Sequence, residues 1–447
     1  MDEARSIKAL DDGGAVICGS TGSFGTQGGD MYVLRIDVAG QIVWSTILGG
    51  AGVEAGQDIV ALPDGGFLAI GSTNSFGEGG YDGFVVRLSE TGENLWQRTY
   101  GTPEWDFFYA GVLNSDGVLL TGQTFGMGAV SGDLLLVRTD LDGEEEWMHS
   151  YGTQDTDEAR SILDLGMDGC LLAGTTGLGE VSSDAYLFRI GPDGDAMWST
   201  ALGGENTELG YDIIELASGG FVVSGYTQGF NPVRQMFLGK ITDAGDEVWT
   251  RTVSSAGDDW EARSVMEKAN GDLVLAGYTE EYGAGAKDVS LLFVNAQGDF
   301  LSGPTYGGFG SDEAWSLDAT SDGGFYIAGS TDSFGSGMEA VFVVRSDGDT
   351  LNGTVTNTFD HVGLNEVEPI PEMVCFPVPS MSGSVMTIAG FKEDQGSIFI
   401  YDARGTLVSR MPYRGGKFQL PALSPGPYEI HFLAASGSQY RSRTIIY

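Results

Sequence analysis

The sequence predicts an all-β protein that contains seven copies of one four-stranded antiparallel sheet, followed by a small β-rich domain. The first observation is a repeat of 51 to 52 residues, marked by a Gly-x-Thr step that runs from Gly19 to Thr331. The second is a set of four short apolar or β-branched runs in each copy. In the second copy these runs are Ile59–Leu62, Phe67–Thr73, Phe84–Leu88 and Asn94–Tyr100.

The third observation is that tight and long connections alternate along each copy. Asp64-Gly65-Gly66 and Thr91-Gly92 fit hairpin turns, because Asp-Gly and related pairs accept the positive φ that such turns need. The other connections are long and rich in Gly. In an up-and-down sheet the tight turns share one face, so the long, variable loops lie together on the opposite face.

Four antiparallel strands per repeat and seven repeats of this length are typical of a seven-bladed β-propeller, which we predict for residues 1–351. A β-solenoid is the alternative repeat fold. It is less favoured because its coils are usually shorter and do not need two hairpin turns per copy. Residues 352–373 are polar and aperiodic and predict a linker. Residues 374–447 show short alternating strands with Gly turns and predict a small β-sandwich.

Composition excludes several classes of function. The net charge of −41 over 447 residues disfavours nucleic acid and anionic membranes as partners. No apolar run is long enough for a membrane helix. We also expect the protein to be a monomer. The few cysteines and histidines are too scattered for a disulfide, a zinc site or a hydrolytic triad. They are Cys18, Cys170, Cys375, His149, His361 and His431.

The repeat resembles a known family. The strings WSTILGG, DGGFLAIGST and YDGFVVRLSETG, each with close counterparts in other copies, are similar to bacterial β-propeller repeats of the SBBP type, found in large secreted and surface proteins. This resemblance implies a scaffold, because the family has no common reaction.

An acidic residue stands near the first strand of every copy and predicts a ring at the channel mouth. Convergent carboxylates could hold a hard cation, and Ca²⁺ is the one cofactor that the pattern leaves open. The alternative, which we favour, is that each carboxylate accepts loop N–H groups as part of the scaffold. The members are Glu3, Glu54, Asp106, Glu158, Glu208, Glu261 and Glu313.

Ligand recognition is expected where the repeat is broken on the long-loop face. Trp105, Trp260 and Trp315 stand beside ring acids in blades 3, 6 and 7, and the blade 5 loop adds Asn231 and Arg234. Exposed indoles beside carboxylates suit a glycan or protein ligand, although they could equally fill space at the channel mouth. A non-catalytic binding module is favoured. The alternative is an extracellular glycan-active hydrolase or lyase with paired carboxylates at the mouth.

The tail resembles the type A C-terminal sorting domain of the type IX secretion system. The matching positions are Phe376, Pro377, Pro379, Gly383, Tyr401, Asp402, Gly405, Gly426 and Tyr428. The resemblance implies recognition by the type IX machinery, export across the outer membrane of a Gram-negative cell, and release or surface attachment. No signal peptide precedes the first strand, so we expect Met1 to be a boundary within a longer precursor that carried one.

Overall fold

The computed structural model describes most of the first 346 residues and shorter stretches beyond them. The described ranges are 2–25, 28–129, 131–178, 182–204, 207–228, 233–253, 259–281, 286–334, 339–346, 354–359, 374–376, 385–389, 395–402, 407–414, 417–419, 421–423, 426–434 and 439–446. Contacts divide the chain into two compact units, Met1–Gly363 and Leu364–Tyr447.

The first unit is an all-β seven-bladed propeller with four antiparallel strands in each blade, as the repeat predicts. Each blade uses four consecutive strands, ordered from the channel outwards. Blade 1 holds β1 Asp2–Ala9, β2 Ala15–Thr21, β3 Asp30–Ile36 and β4 Ile42–Leu48. Blade 2 holds β5 Glu54–Ala61, β6 Phe67–Thr73, β7 Asp82–Leu88 and β8 Asn94–Tyr100. Blade 3 holds β9 Asp106–Leu113, β10 Gly117–Thr124, β11 Asp133–Asp140 and β12 Glu145–Tyr151.

The next blades repeat this order, and a short 3-10 turn, Gly166–Asp168, joins the first two strands of blade 4. Blade 4 holds β13 Glu158–Asp164, β14 Cys170–Thr176, β15 Asp184–Ile190 and β16 Ala196–Leu202. Blade 5 holds β17 Glu208–Glu215, β18 Phe221–Thr227, β19 Gln235–Ile241 and β20 Glu247–Val253.

The outer strand of blade 6 is split in two, because Pro304 lacks the N–H that a continuous ladder needs. Blade 6 holds β21 Trp260–Glu267, β22 Leu273–Thr279, β23 Asp288–Val294, β24 Phe300–Ser302 and β25 Thr305–Tyr306. Blade 7 holds β26 Asp312–Ala319, β27 Phe325–Thr331, β28 Ala340–Ser346 and β29 Thr354–Phe359. The last strand comes from the stretch predicted as a linker, whose start completes this blade.

Burial follows strand position within the blade. The second and third strands of blade 2 are buried along their whole length, because each lies between neighbouring blades on both faces. The outer strand β8 is exposed at Asn94, Leu95 and Gln97, and only its last residue, Tyr100, is buried. Apolar residues of adjacent blades form shared cores, and blade 1 closes on blade 7 in the same way: Ile17 and Tyr32 cluster with Tyr326 and Val343. The backbone N–H of Asp2 also donates to Glu339 O at 3.0 Å.

The innermost strand of every blade carries a β-bulge. In blade 1, Ala4 pairs with Gly19 and Ser6 with Cys18, so Arg5 has no partner on the second strand. The same shift recurs at the equivalent position in all seven blades. A bulge re-aims its extra side chain, and here all seven extra residues line the central channel. They are Arg5, Gln57, Tyr109, Arg160, Tyr211, Arg263 and Trp315.

The second unit contains two antiparallel sheets, with strand orders β30-β31-β34 and β33-β32-β35-β36. Their bounds are β30 Val374–Phe376, β31 Val385–Ala389, β32 Gln395–Asp402, β33 Leu407–Arg414, β34 Lys417–Gln419, β35 Gly426–Ala434 and β36 Gln439–Ile446. Buried Ile398, Ile400 and Ile430 show that the larger sheet has an apolar side. The face-to-face sandwich stays a prediction.

Four of the nine residues of the sorting motif lie outside the described residues: Pro377, Pro379, Gly383 and Gly405. Phe376, Tyr401, Asp402, Gly426 and Tyr428 lie on strands of which only the backbone is described. Within the described part of the chain, no helix is long and apolar enough to cross a membrane.

Candidate functional site

The predicted acidic ring divides into two sets that differ by one residue in strand register. The first set pairs directly with the Thr that ends the second strand or lies at that level, and it is buried between blades. It contains the predicted ring members Glu54, Asp106 and Glu208, and it is completed by three acids that were not predicted and that directly precede ring members, Asp2, Asp157 and Asp312. In blade 2, Thr73 Oγ1 donates to Glu54 Oε1 at 2.6 Å and Gly50 N donates to Oε2 at 2.9 Å. These carboxylates therefore anchor the long loops, as the scaffold interpretation requires.

Acidic residues at the start of third strands approach this buried set from the neighbouring blade. A Cβ built on Gly101 would lie 2.7 Å from Asp82 Oδ1 and 2.8 Å from Asp106 Oδ2, so both carboxylates converge on this glycine. Burial first, and then the charge on Asp106, raise the pKa of Asp82 to about 6, although the N–H of Glu78 opposes the shift. The space between blades 2 and 3 thus holds two like charges.

Trp260 occupies the position of the buried acids in blade 6. The whole residue is 5% exposed, and its backbone N–H donates to the carbonyl oxygen of Arg234 at 3.0 Å. Trp260 therefore does not offer an exposed indole to a ligand, contrary to the sequence-based expectation. The register explains the difference, because the residue starts a strand sandwiched between blades rather than ending an open loop.

The second set of carboxylates lies one residue further along the strand and meets cationic side chains of the channel. Glu158 accepts from Arg160 Nε at 2.5 Å, and Glu3 accepts from Arg5 Nη2 at 2.8 Å. Arg263 joins two members, since its Nε donates to Glu261 at 2.9 Å and its Nη1 to Glu313 at 2.7 Å.

Two further cationic side chains, Arg234 and Lys287, form ion pairs with this second set. Arg234 also pairs with Glu261, and its guanidinium lies 4.8 Å from the ring centroid of Tyr226. Lys287 Nζ donates to Glu313 at 2.6 Å. The predicted site residue Arg234 is thus a partner of a channel carboxylate. Asn231, predicted to act beside it, lies outside the described residues.

The indole of Trp315 is enclosed by two guanidinium groups. The Cζ atoms of Arg5 and Arg263 lie 3.7 Å and 3.6 Å from its ring centroid. At these distances both groups must lie over ring faces, and one face has no room for two of them. Trp315 therefore cannot stack on a sugar through either face, but it fixes the positions of two cations by cation–π attraction.

Blade 3 carries a continuous row of aromatic side chains where other blades carry the ion pairs of the channel. This row, here called the aromatic strip, consists of Phe125, Trp105, Phe107 and Tyr109. Trp105 is 54% exposed on the long-loop face and Phe125 is 39% exposed beside it, with ring centroids 6.5 Å apart. Trp105 contacts Phe107 at 6.3 Å, and Phe107 stacks on Tyr109 at 6.4 Å with an interplanar angle of 2°. The strip leads from an exposed loop to the channel wall.

The channel encloses a cavity of about 410 Å³ lined by the innermost strands of all seven blades. This volume lies in the usual range of ligand pockets, about 300–1,000 Å³. The seven bulge residues form one level of its wall. Just below them, Asp58 accepts from Ser6 Oγ at 2.7 Å and from Gly111 N at 3.0 Å, and so ties blades 1, 2 and 3 together.

Asp212 plays the same part on the opposite arc. It accepts from Ser161 Oγ at 2.8 Å, Ser264 Oγ at 3.1 Å and Val265 N at 3.0 Å, which links blades 4, 5 and 6. Burial raises the pKa of Asp212 in spite of these hydrogen bonds. Both carboxylates therefore serve as inter-blade ties in the channel wall.

The cation candidates do not converge on one point. Among the residues that the structure describes, no group of three or more His, Cys, Asp or Glu side chains could hold a metal ion. Glu54, Asp106 and Glu208 belong to the buried loop anchors. Glu158, Glu261 and Glu313 form ion pairs in the channel.

Sequence reasoning singled out Trp315 and missed the other six bulge residues. The available signal was their constant place three residues after the level of the buried anchors, together with a residue type that changes from each blade to the next. An alternating pattern read without the bulge assigns that position to the wrong face, because one extra residue reverses the alternation.

Comparisons with known proteins add only distant likenesses of fold. No family model matches the sequence, and no curated protein is significantly similar to it. A fungal alcohol oxidase of the AA5 family, in complex with copper, is 10% identical, with a TM-score of 0.43 over 99% of this chain and 96% of the other. A protein of unknown function from Dyadobacter fermentans is 13% identical, with a TM-score of 0.44 over 77% and 95%. A gluconolactonase from Xanthomonas campestris is 11% identical, with a TM-score of 0.34 over 59% and 86%. Likenesses at this level carry no argument about activity, so the function has to be inferred from the channel and the loops.

Proposed function

We propose that this protein is an exported, non-catalytic propeller that binds a glycan chain on its long-loop face, along the aromatic strip and into the channel mouth. The observation that carries the proposal is the strip itself, which runs unbroken from exposed Trp105 to Tyr109 in the cavity wall. Aromatic rings present flat apolar faces with polar edges, which suits sugar rings better than it suits most peptide side chains.

The loop under Trp105 supports a role in binding. A Cβ on Gly80 would lie 2.0 Å from Trp105 Cδ1, so only glycine lets the indole lie against the loop backbone. Tyr81 braces the indole from one side with an edge contact at 5.9 Å. Trp105 is thus held in place and still 54% exposed, which a side chain that merely fills space would not be.

The charged groups of the channel favour binding over hydrolysis. A glycoside hydrolase needs one carboxyl group that stays protonated as an acid and a second that acts as base or nucleophile. Asp58 and Asp212 are occupied by hydrogen bonds between blades, and Glu158 and Glu261 are paired with arginine. Burial raises the pKa of Tyr109 to about 12, so its phenol does not serve as a base at neutral pH, as a lyase would need.

Export rests on the tail. The resemblance of residues 374–447 to a type A sorting domain supports recognition by the type IX machinery and a final place outside a Gram-negative cell. Fusing these residues to a periplasmic reporter in a type IX host tests this. Secretion of the fusion supports the proposal, and retention in the periplasm contradicts it.

The test of the binding proposal is a polysaccharide array scored for both retention and product release. We expect retention without cleavage, and loss of retention in Trp105→Ala. The matched control is Phe300→Ala, because Phe300 is 56% exposed on an outer strand far from the strip in sequence. Equal retention by both variants, or release of shortened sugars by the wild type, would contradict the proposal.

A further inference from the structure

We infer that the channel cavity binds a carboxylate through Arg5, Arg160 and Arg263, so that the preferred glycan carries uronic acid residues. The inference rests on the proposed function for the glycan, but the anion site follows from the cavity alone. Three of the seven bulge positions place a guanidinium in the wall of one cavity, in a protein whose net charge is −41.

Each of these guanidinium groups keeps unused donors. Arg160 uses Nε and Nη2 on Glu158, and Arg263 uses Nε and Nη1 on two carboxylates. Arg5 uses only Nη2, and its buried Nε has no hydrogen-bond partner among the described residues. Among the described residues, Nη1 of Arg5, Nη1 of Arg160 and Nη2 of Arg263 have no acceptor. A buried donor without an acceptor is costly, so an oxyanion that reaches Arg5 Nε would be stabilising there, and the other nitrogens could donate to the same anion.

Charge within the cavity points the same way. Burial, together with repulsion from Arg263 and Arg160, lowers the pKa of Arg5, although Glu3 opposes the shift. Burial is the main cause, so Glu3 compensates the charge of Arg5 less fully than Glu158 does for Arg160 or Glu261 and Glu313 do for Arg263, whose pKa values are raised. A bound anion is the simplest remedy, because it would attract all three guanidinium groups at once.

The acidic residues of the cavity do not supply this anion. Asp58 and Asp212 direct their oxygens at inter-blade donors, and Asp318 accepts from Ala9 N at 2.8 Å. Lys8 lies close enough to all three for their charges to raise its pKa against the effect of burial. Asp58, Asp212 and Asp318 thus have protein donors and Lys8 as partners. Each arginine at the level of the bulges also has a carboxylate partner, but it keeps nitrogen donors for a ligand.

The class of anion follows from the shape of the donors. A guanidinium matches a planar carboxylate with two parallel hydrogen bonds. Tyr109 and Tyr211 line the same cavity, and their phenol hydroxyls could add hydrogen bonds to a carboxylate. Arg160 lies 5.0 Å from the Tyr109 ring, which is also the inner end of the aromatic strip. A sugar ring leaving the strip would thus meet a carboxylate site.

The experiment compares oligogalacturonate with its methyl ester, since both have the same chain and only the first has free carboxylates. Calorimetry on the full chain is expected to show binding of the acid form and at least about tenfold weaker binding of the ester. Free galacturonate, glucose and inorganic sulfate are titrated in parallel. The double variant Arg160→Gln with Glu158→Gln removes a cation and its buried partner together, so that no unpaired charge stays in the wall.

The control is the double variant Arg98→Gln with Glu144→Gln, which removes an equivalent pair from the outer surface. We expect the channel variant to bind acid and ester alike and the control to keep the wild-type preference. Equal affinity of the wild type for acid and ester, or stronger binding of sulfate than of galacturonate, overturns the carboxylate site. If the protein then still retains both the acid and the ester, and retention is lost in Trp105→Ala, the proposed glycan-binding function is supported without the carboxylate site. Binding of free galacturonate without retention of any polymer supports the site and overturns the glycan strip.

Discussion

The inner strands of the blades and the residues just before them carry two sets of carboxylates that differ in burial, in recurrence and in hydrogen-bond partners. One set is buried between blades, recurs with the repeat and accepts hydrogen bonds from loop backbone, as Glu54 and Asp312 do. The other faces the channel, changes from blade to blade and is paired with arginine, as Glu158 and Glu313 are. Only one residue of register separates them. Recurrence therefore marks the scaffold here, and variation marks the surface available to a ligand.

Removal of a buried anchor is expected to have the largest effect. Asp312→Ala leaves the donors of Gly308, Thr331 and Ser333 without an acceptor. Several unsatisfied buried donors lower the free energy of unfolding by about 3 kcal/mol or more. Chemical denaturation measures the loss. Glu144→Ala, which breaks the exposed pair with Arg98, serves as control and should cost about 0–1 kcal/mol. Similar losses in both variants would erase the distinction between the two sets.

The acidic residue that approaches the buried set from a third strand, Asp82, should also respond to pH in a definite direction. The pKa of Asp82 is raised to about 6, so its favourable contribution is fully present below the unfolded value and is lost as pH rises through 6. Asp82→Asn should then match the wild type at pH 4 and exceed its free energy of unfolding by about 1–2 kcal/mol at pH 8. Denaturation curves at both pH values check this. A variant that is less stable than the wild type at pH 8 contradicts it.

The channel set should show the opposite sign. Burial alone would raise the pKa of Glu313, but Arg263 and Lys287 outweigh it and the pKa lies below its usual value. Its contribution is therefore present above the unfolded pKa and is lost as pH falls through the folded one. Glu313→Gln should cost about 1 kcal/mol at pH 7 and nothing measurable at pH 3. An equal cost at both pH values would show that the ion pairs with Arg263 and Lys287 contribute nothing.

The smallest effect is expected from removing or adding a metal ion. The buried anchors of the long loops already accept protein donors, and the channel carboxylates are paired with cations. We therefore expect the melting temperature to be the same with EDTA and with added Ca²⁺. A rise with Ca²⁺ that disappears in Asp106→Asn would show instead that the pair formed with Asp82 holds a cation.

The sequence repeat predicts the number of blades, the order of the strands and the face of the propeller that carries the hairpin turns. These follow from the repeat period, from the four apolar runs in each copy and from the Asp-Gly and Thr-Gly turns. The bounds of the inner strand were less accessible. The strand predicted at Ile59–Leu62 begins at Glu54, since the bulge at Gln57 interrupts the alternation on which the prediction rests. The seven acids that look equivalent in sequence divide between blade interface and channel for a different reason: Glu3, Glu158, Glu261 and Glu313 lie one residue further along the strand than Glu54, Asp106 and Glu208.

The site was predicted only where exposure follows from the loop alone. Trp105 lies exposed, as expected for a loop residue before the first strand. Trp260 lies one position and Trp315 four positions further along the repeat than Trp105. These shifts place Trp260 between blades and Trp315 between two arginines. Residue type predicts what a side chain can bind, whereas register decides whether a ligand can reach it.

The bulge also has a consequence for variation of the protein. Because each bulge residue lacks a partner on the second strand, its side chain can change without altering the ladder or the cores between blades. The channel wall is therefore a set of seven positions whose side chains can vary while the strand pairing stays fixed. The arginines among them must change together with the carboxylates that they pair with, as Arg160 does with Glu158. Varying these positions with their partners should yield folded propellers with different ligand preferences, so one scaffold can present many binding sites.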